Sequence, residues 1–383
     1  RTVTEHLSSR QRVYSLCVFV RCIFMDPISQ GALGAAFPQS TGNNQVFREK
    51  AFAITIIGAL AGMSPDLDVL IQSSVDPLLF LEFHRQFTHS LFFIPIGALI
   101  CAAAFYYWAR KTLSFPMTYL VCLLGYSTHA LLDACTTYGT QFLWPLTNTR
   151  YAWNTIAVVD PLATLPLLAL VITSLVRANP LFARIGLAWF LSYLALGWIQ
   201  RDRANDAAEA LAESRGHSSA IVSAKPGFAN LLLWKSVYEY EDRYYVDGIR
   251  VGWQTKIYPG TSIAKLDTTK DLPWLDINTQ QGTDLERFRW FSMGYLALDP
   301  TRPNFVIDAR YSLLPNEINP LWGIDLSPTA LPAEHVAFIS NRDASPERMA
   351  IFWAMLSGES CIPGQGERHS DTKPNHPDPC VAD

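Results

Sequence analysis

His84-Arg85-Gln86-Phe87-Thr88-His89-Ser90 runs directly into residues 91–107, an apolar stretch of nearly membrane-spanning length. The arrangement recurs along the chain. Ser64-Pro65-Asp66-Leu67-Asp68 follows an apolar run over 51–63, His129-Ala130-Leu131-Leu132-Asp133 closes one over 117–132, and Asp160-Pro161 lies near the start of one over 156–176. If these segments alternate direction across a bilayer, all four clusters emerge on one face. Three histidines and several carboxylates then gather at a single membrane boundary, the donor set that a metal site requires.

The chain has 383 residues, 49% of them hydrophobic, and a net charge of -4, which argues against a nucleic-acid partner. The average conceals two unlike halves. Long apolar runs fall before about residue 200, and most charges fall after it. A bilayer crossing needs about 20 apolar residues, so the predicted fold class is a membrane all-α helical bundle followed by a small soluble α+β domain. The clearest spans are 91–107, 117–132, 156–176 and 185–199, each apolar on all sides. Residues 51–63 and 28–37 predict one or two shorter helices packed within the bundle or re-entrant. The expected domains are an N-terminal extension over 1–24, the membrane-embedded domain over 25–200, the soluble domain over 201–360 and a flexible tail over 361–383.

Basic residues set a direction. Arg48, Lys50, Arg110, Lys111, Arg177 and Arg184 fall on one face, against Arg85, Arg150, Arg201 and Arg203 on the other. The positive-inside rule assigns the first face to the cytoplasm. The expected localisation is a bacterial inner membrane, multi-pass, with the metal site and the C-terminal domain on the periplasmic side. Cys361 and Cys380, alone among seven cysteines in the polar half, are compatible with one disulfide in an oxidising compartment or with two free thiols. In the soluble half, residues 204–214 read as a short exposed helix. Residues 231–240, 243–246 and 249–258 read as a β-meander with turn chemistry at Asp247-Gly248. Residues 288–298 and 304–313 are further strand candidates, and 346–356 a helix.

The clusters admit more than one reading each. His129 and Asp133, four apart on a helix, project from one face and can share a ligand; alternatively the histidine caps carbonyls and the aspartate faces water. Asp66 and Asp68 beside a helix C-terminus repel the dipole and each other, which a cation would relieve. His84 and His89 are placed in a loop and at a helix start, with Thr88 or Ser90 as N-cap. Arg85 could grip a substrate phosphate or carboxylate, or pair with Asp66 or Glu82. Asp160-Pro161, like Asp26-Pro27 and Asp76-Pro77, also reads as N-cap aspartate and N1 proline.

Taken in order, Asp26-Pro27-Ile28-Ser29-Gln30, Pro65-Asp66-Leu67-Asp68, His84-Arg85-x-x-Thr88-His89-Ser90, His129-x-x-Leu132-Asp133, Tyr138-Gly139-Thr140 and Val159-Asp160-Pro161-Leu162 resemble the YdjM-like family of membrane-bound, metal-dependent hydrolases. The likeness runs from about Met25 to Leu162. It implies metal-ligand positions at Asp66, Asp68, His84, His89, His129 and Asp133, with Asp160 an additional candidate. Gln30 stands where the family often has histidine, which implies a lost or altered ligand. A more distant similarity to helical zinc phospholipases C suggests a phosphoester substrate.

The leading expectation is therefore a membrane-embedded hydrolase holding one or two divalent ions, zinc or manganese in the first instance. It would act through a metal-activated water on a phosphoester or lipid-linked substrate. Catalytic candidates are Asp66 or Asp68 as base and Arg85 as an anion contact. Membrane lipids are the expected partners. The rivals are a non-catalytic, metal-stabilised scaffold with a partner-binding exported domain, and an ion transporter.

Overall fold

Capping chemistry and proline placement set where the helices begin. The computed structural model describes residues 26–218 and 220–360, so the expected extension and tail, with Cys361 and Cys380, lie outside the described residues. Asp26 accepts hydrogen bonds from the Ile28 and Ser29 amides and opens α1 (Pro27–Thr41), with Pro27 at the first helical position. Asn43 caps α2 (Asn44–Met63), which continues as a 3-10 turn over Ser64–Leu70. The expected short helix at 51–63 is thus part of an apolar unit over Asn44–Leu70, long enough to cross a membrane.

After α3 (Leu79–Phe83) and a 3-10 turn over Phe87–His89 come α4 (Ile94–Ala109) and α5 (Phe115–Cys135). The segments Leu79–His89 and Ile94–Ala109 meet at a bend of 88°. Next are α6 (Pro161–Arg177) and α7 (Pro180–Ser214). Four long spans were expected. Among the described residues three helices are long and apolar enough, and a fourth is obtained only by counting the bent pair as one. The shortfall has a local cause at residues 156–176. Asp160 accepts the Leu162 and Ala163 amides, so the helix starts at Pro161 and residues 156–159 stay outside it.

The helices run antiparallel. Arg184 at the start of α7 donates to the Ser40 and Gly42 carbonyls at the α1–α2 turn, which places that end opposite the histidines. Backbones approach closely in the middle of the bundle. A Cβ on Gly125 of α5 would stand 2.5 Å from the Gly58 carbonyl oxygen of α2, and one on Gly34 of α1 would stand 2.7 Å from the same atom. Small residues at helix crossings allow this approach in membrane bundles. Cys101, Cys122 and Cys135 are buried and free, as small apolar side chains in a bundle are.

The boundary expected at residue 200 falls inside α7, which is 35 residues and about 50 Å long. Residues 204–214 are its last turns, not a separate exposed helix. Ala204, Ala208 and Ala212, spaced by four, are buried, and α7 packs against the first sheet. That sheet is an antiparallel meander of β1 (Val222–Pro226), β2 (Leu233–Tyr240), β3 (Arg243–Val251) and β4 (Thr255–Ala264).

Asp247-Gly248 is not a turn. It lies within β3, where the register to β4 shifts between Val246 and Gly248, and the Asp247 carboxylate accepts from Arg215 and the Gly260 amide. Beyond α8 (Thr268–Asp271), residues expected as strand at 288–298 are divided. α9 (Gln280–Phe291), capped by Thr279 and burying Gln281, Asp284, Leu285 and Phe288 at helical spacing, takes the first part. Only Leu296–Leu298 forms β5.

The second antiparallel sheet adds β6 (Phe305–Asp308), β7 (Trp322–Asp325) and β8 (Ala337–Ser340), and α10 (Pro346–Ser357) follows. The two halves share one apolar core, in which Leu132, Ile156, Phe190 and Tyr193 meet Trp234, Ile249 and Val251. Arg287 of α9 fastens them at the surface by reaching Asp76 and Glu82.

Candidate metal centre

Four side chains from three parts of the bundle converge just beyond the glycine crossing. Asp66 comes from the 3-10 turn after α2, His89 from the turn before α4, and His129 and Asp133 from one face of α5. Asp66 Oδ1 stands 3.2 Å from His129 Nε2 and 3.5 Å from His89 Nε2. Asp133 Oδ2 stands 3.2 Å from His89 Nε2 and 3.7 Å from His129 Nε2. All four atoms are buried and none makes a hydrogen bond, although Asp133 Oδ2 also forms an ion pair with Arg85 Nε at 2.9 Å. Buried polar atoms without hydrogen bonds are costly and rare, yet here four face one another. Two ligands each about 2.0–2.1 Å from a tetrahedral ion stand about 3.3–3.4 Å apart, so the four spacings fit a single small divalent cation.

The surrounding hydrogen bonds aim the correct atoms inward. His129 Nδ1 donates to the Gly62 carbonyl at 2.6 Å, so its proton sits on Nδ1 and the Nε2 lone pair faces the cluster. This contact depends on the close packing of α2 against α5. His89 Nδ1 lies 2.9 Å from Thr88 Oγ1 and 3.3 Å from Asp68 Oδ2, which orients that ring in the same sense. Asp133 Oδ1 accepts from Gln30 Nε2 at 2.8 Å, so Gln30 supports a ligand position from behind.

Asp68 has a different place from Asp66. It is buried, and its oxygens accept the Thr88 hydroxyl at 2.7 Å and the Arg85 amide at 3.1 Å, with His84 Nδ1 at 2.8 Å. One carboxylate thereby organises the whole His84–His89 loop. Asp66, Asp68 and His84 form a second, overlapping trio of possible ligands, but both Asp68 oxygens are already engaged.

Arg85 pairs with neither Asp66 nor Glu82. Its Nε lies 2.9 Å from Asp133 Oδ2 and its Nη1 donates to Thr136, while Glu82 binds Arg287. Arg85 holds a left-handed backbone at φ 64, a conformation uncommon outside glycine, in the loop that brings both histidines in. Asp160 is not among the clustered donors. It caps α6 and accepts the Tyr193 hydroxyl at 2.8 Å. Neither Thr88 nor Ser90 caps the following helix, which starts at Ile94 without a side-chain cap; Ser90 instead accepts the Phe93 amide in the turn before it.

A third trio, Asp76, Asp284 and His335, surrounds the Arg287 guanidinium. It is an ion-pair network with its cation already in place. Hydrogen bonds from Arg287 outweigh the opposing effect of burial and hold the Asp76 carboxyl below the usual range.

The centre has an outlet. Asp66 is 20% exposed, whereas the other three donor side chains are almost fully enclosed. His84 and Arg85 also line a cavity of about 420 Å³ between the helical half and the sheets. Sequence reasoning did not assign this cavity. Its other polar residues, Arg150, Lys225, Lys235 and Arg310 among them, come from connecting loops and from strands, and nothing in their local spacing marks them.

Comparison with known proteins agrees with the geometry of the helical half. Residues 25–204 match the family model described as YdjM inner membrane protein. Inner membrane protein YbcI of Escherichia coli (strain K12) is 34% identical over 105 residues, which cover 26% of this chain and 60% of that relative. The chain thus spans less than two thirds of the curated relative's length. No solved structure matches. Residues 205–383 lie outside the family match. The helical half that carries the candidate centre, residues 25–204, is thus similar to the YdjM inner membrane protein family.

Proposed function

We propose that this protein is a metal-dependent hydrolase of the membrane boundary, acting on a phosphoester or lipid-linked substrate. The observation that carries the reading is the set of four inward-facing atoms of Asp66, His89, His129 and Asp133, none of them hydrogen-bonded, beside a cavity lined by His84 and Arg85. A divalent ion held by those four side chains would supply Lewis acidity and activate water for hydrolysis.

The chain's own residues supply the rest. Asp68 positions His84 through Nδ1, which suits His84 for proton transfer at the cavity wall. Arg85 places a fixed positive charge between the centre and the cavity, where negative charge on a phosphoester would need compensation. Gln30 and Thr88 hold ligand orientation, and the surrounding bundle excludes bulk water. Four protein ligands would fill a tetrahedral zinc site, whereas a six-coordinate ion such as manganese would keep positions open. Manganese therefore suits catalysis, and zinc suits the alternative of a non-catalytic scaffold. On the charge distribution of the helix ends, the centre and the sheets face the periplasm.

The test is hydrolysis of a phosphomonoester lipid by the full chain in nanodiscs, after chelation and after reloading with manganese or zinc. Manganese-dependent turnover that is lost in His129→Ala and Asp133→Asn is expected. Stoichiometric metal without turnover on any phosphoester, combined with unfolding on chelation, would establish the scaffold instead. A reporter fused after Asp383 should be active only outside the cytoplasm. A cytoplasmic signal would reverse the orientation.

A further inference from the structure

The cavity beside the centre is strongly cationic. Arg85, Arg150, Lys225, Lys235, Arg310 and the exposed Arg342 contribute to its lining, against a single carboxylate, Asp343. Two of the buried cations have carboxylate partners. Arg85 has Asp133, and Arg310 has Asp308 in a two-pronged pair.

Three do not. Arg150, 7% exposed, donates only to the carbonyls of Leu81, His84 and Gly139 at 3.3–3.4 Å, and its Nε is buried without a partner. Lys235, 5% exposed, donates to Ser312 Oγ and the Glu317 carbonyl. The side chain of Lys225, 8% exposed, has no hydrogen bond or ion pair among the described residues; its Nζ stands 5.8 Å over the Tyr311 ring. Burying unpaired charge is costly, and three such groups face one space. Aromatic walls from Phe80, Tyr138, Phe228, Phe291 and Phe338 provide room for an apolar body beside the charge.

We propose that this cavity is a phosphate-binding site, formed by Arg150 from the helical half and by Lys225 and Lys235 from the first sheet. As a substrate pocket it rests on the hydrolase reading above; as an anion site it stands independently. The charge count selects the chemistry. One carboxylate would balance one of three cations, whereas a phosphomonoester dianion or a diphosphate approaches the full count. Lipid headgroups carry the same group, and it also occurs free in solution. The C-terminal domain accordingly supplies substrate contacts that the helical half lacks, and Arg150 joins the two by donating to the His84 carbonyl on one side and lying against the Trp290 and Phe291 rings on the other. Burial pushes the Lys225 and Lys235 ammonium groups down to about 7, with Arg310 adding to the effect at Lys225, so a bound phosphate should draw protons onto them.

The experiment uses the full chain in phosphatidylcholine nanodiscs, treated with chelator so that the metal centre does not contribute. Inorganic phosphate, pyrophosphate and phosphatidic acid are the probes, read by calorimetry in buffers of different ionisation enthalpy at pH 8. Saturable binding with proton uptake is expected, weakened at least tenfold in Lys225→Met and Lys235→Met and retained in Lys225→Arg. Binding of the soluble anions would identify a free phosphate as sufficient. Binding of phosphatidic acid alone would assign the site to a lipid headgroup.

No saturable response to any probe at millimolar concentration overturns the proposal. So does wild-type affinity in both methionine variants, provided that they retain the wild-type melting temperature or exceed it. Binding that persists without metal, in a protein that never hydrolyses a phosphoester when loaded, would retain this site and refute the hydrolase reading. Turnover and KM unaffected by either methionine variant would do the reverse.

Discussion

Asp68→Asn distinguishes a ligand from the residue that aims the ligands. The wild-type carboxylate accepts the Arg85 amide and the Thr88 hydroxyl and lies within hydrogen-bonding distance of the His84 ring nitrogen. An asparagine of the same shape keeps one acceptor oxygen and turns an N–H₂ toward groups that are themselves donors. At least one buried donor then loses its partner, at a cost of about 1–3 kcal/mol. The four inward atoms of Asp66, His89, His129 and Asp133 are untouched, so metal binding should survive in weakened form. Loss of an outer partner of a metal-ligating histidine typically costs about 10–100-fold in affinity. Asp133→Asn removes a clustered donor and should weaken binding far beyond that range. The assay is competition with a chelator of known affinity for manganese and zinc, together with thermal unfolding of the chelated and loaded protein. If Asp68→Asn loses as much affinity as Asp133→Asn, Asp68 is itself a ligand. If it loses less than about twofold, the loop does not depend on it. Either result would refute the assignment.

Three further outcomes follow from packing and charge. Arg287→Met should loosen the sheets from the helical half, and a double-mutant cycle with Asp76→Asn should show a coupling of about 1–2 kcal/mol in thermal or denaturant unfolding; additive effects would mean that the contact contributes nothing. Gly125→Ala brings a Cβ to 2.5 Å from the Gly58 carbonyl oxygen, so it should destabilise by about 1–3 kcal/mol and lower metal affinity through the displaced Gly62–His129 contact, both readable from melting curves with and without metal.

The pH dependence has a definite sign. Folding lowers the Lys225 ammonium from 10.5 to about 7, so between those values the unfolded chain holds a proton that the folded chain has released. Stability of the ligand-free protein should therefore rise with pH across that window, by up to about 1.4 kcal/mol per pH unit from this group. Lys225→Met should remove that part of the slope. An unchanged slope would show that the lysine is not desolvated.

The local chemistry of the chain was sufficient to specify the helical half and the residue types of the centre. Apolar length, capping aspartates and prolines at first helical positions act between near neighbours, so α1 and α5 follow from them, whereas α6 starts later than its apolar run and α7 continues past its own onto the first sheet. The alternation of segments likewise determines that Asp66, His84, His89, His129 and Asp133 share one end of the bundle. Misreadings arose where a local signal was outweighed by distant contacts. Asp247-Gly248 resembles a turn, but Arg215 and the Gly260 amide hold Asp247 inside a strand. Aromatic residues after Phe288 suggest a strand, but their helical spacing lets α9 bury one face on the second sheet.

Within the centre, only tertiary structure could separate roles among chemically identical groups. Asp66 and Asp68 are two residues apart, yet one points an unpartnered oxygen at the histidines and the other is engaged by the loop it organises. Asp160, of the same type and on the same end, turns back to cap its own helix. The cavity was invisible for a related reason. Arg150, Lys225 and Lys235 look like ordinary surface cations in the linear sequence, and what distinguishes them is desolvation against partners up to about 140 residues away. Burial is a property of the packed chain, and it converts unremarkable basic residues into a charged pocket beside the metal centre.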